Sequence, residues 1–241
     1  MVAVFVHGVP DTCRVWDEVI PRLARKDARA VSLPGFDAPV PQGFEAAKED
    51  YVAWLIGELE ALGEPVDLVG HDWGALLVLR VVSLRGDLIR TWTAGGAPLD
   101  PDYVWHDAAQ AWQTPELGEQ VMAMMTPEAT AASLATRGLT PAQAQTTASH
   151  IDARMKDCIL RLYRSAKTVG AEWTPDLARI NTPGLLIYGA QDPFLDSPRL
   201  APALASRTGA DLLMLEGCGH WWESERPAGV AGALERHWAA V

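Results

Sequence analysis

Positive charge is what this chain has least of. Its 241 residues carry 20 Lys and Arg against 31 Asp and Glu, a formal net charge of -11. That balance argues against nucleic acid and against an anionic membrane surface as partners. Cysteine is also scarce. Cys13, Cys158 and Cys218 lie too far apart for a metal pattern or a disulfide framework, so a reducing, cytoplasmic setting is expected. No run approaches the roughly 18 apolar residues of a membrane span. The opening MVAVFVHG is too short, and lacks the basic flank, to be read as a signal peptide. Internal repeats, linkers and low-complexity tails are missing. His and Cys never cluster at ligand spacing, so neither metal nor cofactor is expected. What the chain does have is 49% apolar residues, enough for a sizeable core, and ten tryptophans.

Short apolar runs alternate with helical patterns. Strands are expected at Val2–Val6, Arg29–Leu33, Val66–Val69, Leu88–Ala94, Leu185–Tyr188 and Leu212–Leu215. Helices are expected at Trp16–Arg25, kinked or started by Pro21, then at Lys48–Leu62, Ala75–Val82, Pro175–Ile180, Arg199–Arg207 and Glu225–Trp238. In Lys48–Leu62, Tyr51, Leu55, Leu59 and Leu62 share one face. Between Pro98 and Trp173 no strand appears, and short helical patterns are broken by Pro101, Pro115, Pro127 and Pro141. The reading is an α/β core of residues 1–97 and 174–241 with a helical cap inserted at 98–173. Strands and helices in this rhythm make a mostly parallel sheet covered on both faces.

The centre of the chain is Gly70-His71-Asp72-Trp73-Gly74, between an apolar strand and a buried helix. Small residues two before and two after the middle position allow a sharp strand-to-helix turn that presents a nucleophile. Ser is commoner there. Asp needs no base to be nucleophilic at neutral pH, and it can open a polarised carbon–oxygen or carbon–halogen bond to give an ester. The bland alternative is a buried Asp capping the helix. His7, Asp72, Asp192 and His220 all fall at the carboxyl ends of strands, where such sheets bind ligands. His220 suits a general base for water attacking the ester. Asp192 suits the group that orients its imidazole, or else caps the helix after Pro193. The backbone N–H groups of Val9 and Trp73 suit an oxyanion hole. His7 is expected to hold loop backbone, and His71 to pack away from Asp72. Tyr163, in Leu160-Arg161-Leu162-Tyr163-Arg164, is either a core aromatic or a hydroxyl aimed at Asp72. Trp105, Trp112 and Trp173 are open between packing and pocket wall.

Over nearly its whole length the chain resembles the α/β-hydrolase superfamily, in the branch of epoxide hydrolases and haloalkane dehalogenases. His7-Gly8-Val9-Pro10 is similar to the epoxide hydrolase HGxP loop. Gly70–Gly74 is similar to the nucleophile motif of both branches, and Gly189-x-x-Asp192 and Gly219-His220 to the acid and histidine sites. The resemblance implies an Asp72–Asp192–His220 triad acting on a small apolar organic substrate and water, in a monomer or homodimer. It implies that Tyr163 is a cap hydroxyl that donates to the leaving oxygen of an epoxide. A second such tyrosine is expected between Trp105 and Trp112. Ala108 falls there instead, and Tyr103 lies upstream. For a haloalkane, halide would be held by Trp73 and a second donor. Val9 stands where an Asn often serves, so Trp105 or Trp112 would substitute. HGVP with Tyr163 favours epoxide over halide. A catalytically inactive binding protein of the same fold is the rival from another class, and the intact triad counts against it. Relatives carry two antiparallel strands before the His-Gly strand. Their absence here predicts a six-stranded sheet.

Overall fold

The computed structural model describes residues 1–241. Six strands form one sheet: β1 (Ala3–Val6), β2 (Ala28–Val31), β3 (Val66–His71), β4 (Ile89–Gly95), β5 (Gly184–Gly189) and β6 (Asp211–Leu215). Their order is β2-β1-β3-β4-β5-β6, and all five pairings are parallel. The expected count of six is met, with no antiparallel pair ahead of β1. The chain runs outward from β1 to β2, then returns to lay β3 on the other side of β1. That reversal opens a crevice at the strand ends, where α/β sheets bind ligands.

Alternation along β1 builds two cores. Val4 and Val6 face one, Ala3 and Phe5 the other. On the first face lie α1 (Lys48–Glu60) and α2 (Trp73–Leu84), with Tyr51, Leu55 and Leu59 of α1 buried as their spacing predicts. Six helices follow β4 without a strand between them: α3 (Asp107–Gln113), α4 (Leu117–Met124), α5 (Pro127–Ala135), α6 (Pro141–Ser149), α7 (Ala153–Ser165) and α8 (Val169–Trp173). Lys48, almost buried, ties them to α1. Its ammonium meets the Ser165 carbonyl at 2.8 Å and Glu172 at 2.9 Å. After β5 come α9 (Ser197–Thr208), then α10 (Trp222–Glu225) and α11 (Pro227–Ala239) beyond β6. No helix is long and apolar enough to cross a membrane.

One expectation is corrected. The helix expected over Trp16–Arg25 is replaced by two 3-10 turns, Cys13–Trp16 and Ile20–Arg22. Pro21 lacks the N–H that a continuous helix needs. Trp16 instead drives into the second core, edge-on to Phe5 at 5.1 Å and to Trp222 at 6.0 Å. The terminal helix forms as expected, α11 running Pro227–Ala239 with Pro227 in its first turn, and the short α10 precedes it.

Candidate active site

Asp72 has φ +52° and ψ -119°, a conformation that a side chain adopts only when its surroundings impose it. The glycines around it show why. A Cβ on Gly70 would stand 2.4 Å from the Gly74 carbonyl oxygen, and one on Gly74 would stand 2.2 Å from that of Val6. Helix α2 therefore starts hard against β1 and β3, and Asp72 is lifted above the sheet edge. Gly8, one residue beyond the His7 that follows β1, brings its backbone onto the carboxyl group.

Asp72 Oδ1 accepts the Val9 N–H at 2.7 Å, and the Trp73 N–H favours the same carboxylate. Its Oδ2 faces His220 Nε2 at 3.7 Å, beyond hydrogen-bond length. On its far side His220 Nδ1 meets Asp192 Oδ2 at 2.7 Å. Asp192 also accepts the Phe194 N–H through Oδ1 at 2.8 Å, but it caps no helix, since the next one begins at Ser197 behind Asp196. His7 stays out of the reaction space. Its Nε2 accepts the Leu33 N–H at 3.0 Å and its Nδ1–H donates to the Gly8 carbonyl at 2.8 Å, which pins the loop carrying Val9. Burial lowers its pKa to about 4, so the ring is neutral.

Electrostatics pull these groups apart. Burial raises the Asp72 pKa to about 6 against the pull of His220 and the two N–H groups. His220 is opposed by burial, but the Asp192 carboxylate, its hydrogen bond and the Asp72 charge together raise its pKa to about 9. At neutral pH the resting site holds an Asp72 anion beside a His220 cation.

Above Asp72 lies a cavity of about 500 Å³. Trp105, Trp112, Tyr163, Tyr103, Phe194 and Trp221 supply its aromatic wall. Tyr163 is the hub, with ring centres 5.4 Å from Trp73, 5.3 Å from Trp105 and 4.9 Å from Trp112. Burial first, then the Asp72 charge, push its pKa well above the usual 10, so the phenol keeps its proton. Trp173 does not join this wall. It is buried in the core with the Arg80 guanidinium over its ring. The indole N–H groups of Trp73 and Trp112 are buried and make no hydrogen bond of full geometry.

Several cavity residues carried no motif. Tyr103 reaches the cavity from upstream, its hydroxyl donating to the Phe194 carbonyl at 3.2 Å. His106 caps α3 by accepting the Ala109 N–H at Nδ1 and also lines the cavity, neutral because burial lowers its pKa to about 4. Helical spacing could not have placed either, since both lie in the irregular stretch between β4 and α3.

A six-stranded parallel sheet with a half-buried Asp at the turn after β3 and a His–Asp pair after β6 and β5 defines the α/β-hydrolase class. The chain belongs to the Alpha/beta hydrolase family, whose model matches residues 3–233. Within it the chain lies in the branch of epoxide hydrolases and haloalkane dehalogenases. Epoxide hydrolase A of Mycobacterium tuberculosis is 26% identical over 97% of this chain and 88% of that protein. The probable oxidoreductase EphD of the same organism is 31% identical, but the match takes in 46% of this chain and only 20% of EphD. Among solved structures, haloalkane dehalogenase DbeA of Bradyrhizobium elkani superposes with a TM-score of 0.79 at 22% identity, covering 100% of this chain and 91% of that one.

Proposed function

We propose that the protein hydrolyses small apolar epoxides to vicinal diols through an ester on Asp72. The observation that carries this reading is a protonated Tyr163 phenol in the same cavity as an Asp72 carboxylate with one oxygen free. Asp72 Oδ2 attacks an epoxide carbon, the ring carbon–oxygen bond breaks, and the leaving oxygen takes a proton from Tyr163. Tyr103 brings a second phenol to the cavity, which Ala108 cannot. Oδ1 becomes the ester carbonyl, already held by Val9 N–H. The His220 cation gives up its proton, which replaces the one lost by Tyr163, and the neutral imidazole then takes a proton from water, whose oxygen attacks Asp72 Cγ. Negative charge collects on Oδ1 between the Val9 and Trp73 N–H groups. Collapse breaks the bond to the alkyl oxygen, which takes the proton held by His220 and leaves as the second hydroxyl of the diol. The proton remaining on the new Asp72 carboxyl passes to His220, which restores the Asp72 anion beside the His220 cation.

The two halves are coupled by charge. Esterification removes the Asp72 anion, one of the causes that raise the His220 pKa. His220 therefore becomes easier to deprotonate once the ester exists, and this is when a base is required.

A pH dependence follows. With its pKa raised to about 6, Asp72 loses its nucleophilic anion as pH falls through that value. Single-turnover alkylation should fall about tenfold per pH unit below about 6 and level off above it. A rate that holds constant down to about pH 4 would contradict the assignment.

The second reading, haloalkane dehalogenation, rests on the unpartnered indole N–H groups of Trp73 and Trp112, which suit a departing halide. A paired turnover screen separates the two. Terminal and aryl epoxides should give diol, and bromoalkanes little or no halide. Halide release without diol formation would reverse the order.

A further inference from the structure

Behind His220 lies a layer of buried titratable groups that the reaction does not use. The His71 ring is 4.7 Å from that of His220 and edge-on to Trp222 at 5.4 Å. Its Nε2 is 3.0 Å from the His220 carbonyl oxygen. A carbonyl only accepts, so Nε2 carries the ring proton. Burial, with the nearby His220 charge adding to it, drives the His71 pKa well below 6.5, so the ring holds one proton and not two. Nδ1 is then a bare lone pair.

Facing that lone pair at 3.5 Å is Oε1 of Glu223. Glu223 is 0% exposed, and neither of its carboxyl oxygens makes a hydrogen bond of full geometry; its own backbone N–H favours the charged form without overcoming burial. A carboxylate there would set lone pair against lone pair in a dry site. The surrounding charges do not rescue it. Burial, reinforced by Asp11 and Glu225, pushes the Glu223 pKa well up, and His220 pulls the other way without overcoming them. His7 is the remaining titratable group acting on His71, and it is neutral. Glu225, two residues on, makes the contrast. Both its oxygens accept the Gly219 N–H, at 3.0 and 3.1 Å, so that its carboxyl group is partnered where that of Glu223 is not.

We propose that Glu223 is a positioning residue that stays un-ionised, its carboxyl O–H donating to His71 Nδ1 while His71 Nε2–H holds the His220 carbonyl. The relay fixes the backbone of His220 and adds no charge beneath it. An ionised Glu223 would favour the His220 cation, the form that cannot take a proton from water. The inference rests on the role of His220 set out above.

Two spectroscopic measurements need no substrate. Infrared difference spectra between wild type and Glu223→Gln at about pH 8, where Asp72 is ionised, should show a carboxylic-acid carbonyl band in wild type only. Nitrogen-15 spectra of wild type should show His71 protonated at Nε2 and bare at Nδ1. A missing acid band, or a doubly protonated His71, overturns the proposal. Turnover supplies the functional arm. Glu223→Leu keeps the bulk without the donor and should lower kcat roughly 10- to 100-fold with little change in KM, the scale of misplacing a catalytic group by about 1 Å. Glu223→Gln offers an uncharged amide donor and should recover most of that loss. Equal losses in both variants, or none in Glu223→Leu, would also overturn it. If Glu223→Leu fails to fold, the spectra decide. If wild type opens neither epoxides nor bromoalkanes, the functional reading fails while the spectra still locate the proton.

Discussion

A His220→Gln enzyme mixed with a small aryl epoxide should gain the mass of one substrate molecule and stop there. Asp72 needs no proton removed before it attacks, and His220 Nε2 stands 3.7 Å from Asp72 Oδ2 without a hydrogen bond to it. Alkylation should therefore survive the substitution. Hydrolysis should not, because the base held in line by Asp192 is gone. Steady-state turnover is expected to fall by roughly 10²- to 10⁴-fold, the usual contribution of a positioned general base. Intact-mass measurement should show the adduct, and peptide mapping should place it on Asp72. Asp72→Ala should carry no adduct and turn nothing over. An adduct elsewhere, or rapid turnover by Asp72→Ala, would sink the two-step scheme.

Tyr163→Phe should have the next largest effect and separates epoxide from halide chemistry. Opening an epoxide leaves an alkoxide, a strong base that must be met by a proton. Halide leaves as a stable anion that weak donors satisfy. The Tyr163 ring is packed against Trp73, Trp105 and Trp112, so removal of one oxygen leaves the wall standing. Single-turnover alkylation by an epoxide should slow by roughly 10- to 1000-fold, the scale of one proton donor. Binding should change far less, since the bond strengthens mainly as the ring opens. Tyr103 tempers the loss, because its phenol can turn from the Phe194 carbonyl toward the same oxygen. An unchanged epoxide rate, with bromide release by both proteins, would favour the dehalogenase reading.

The residues that define the sheet edge were legible because each sits where chain direction must change. Gly70 and Gly74 mark a close approach, and their spacing around Asp72 could be read without coordinates. The same holds for His220, at the end of the last apolar run, and for the loop that delivers Val9. What could not be read depends on contacts across the fold. Trp16, Val19, Ile20 and Leu23 keep helical spacing, yet Pro21 and the pull of Trp16 toward Phe5 turn that segment into two tight turns. Tyr103 and His106 sit in irregular chain, where periodicity carries no information. Nothing in the sequence sets Glu223 apart from Glu225, two residues on. Only the fold shows that one of the two is sealed beneath His220.

The aromatic wall also bears on how turnover ends. Trp105, Trp112 and Phe194 present faces that suit an apolar epoxide and offer little to a molecule with two hydroxyls. Each hydroxyl left without a partner costs about 1–3 kcal/mol relative to water. The diol is therefore less at home in the cavity than the epoxide it came from. Under the proposed reaction its escape is favoured by solvation, and accumulating product should compete only weakly with the epoxide for the aromatic part of the cavity.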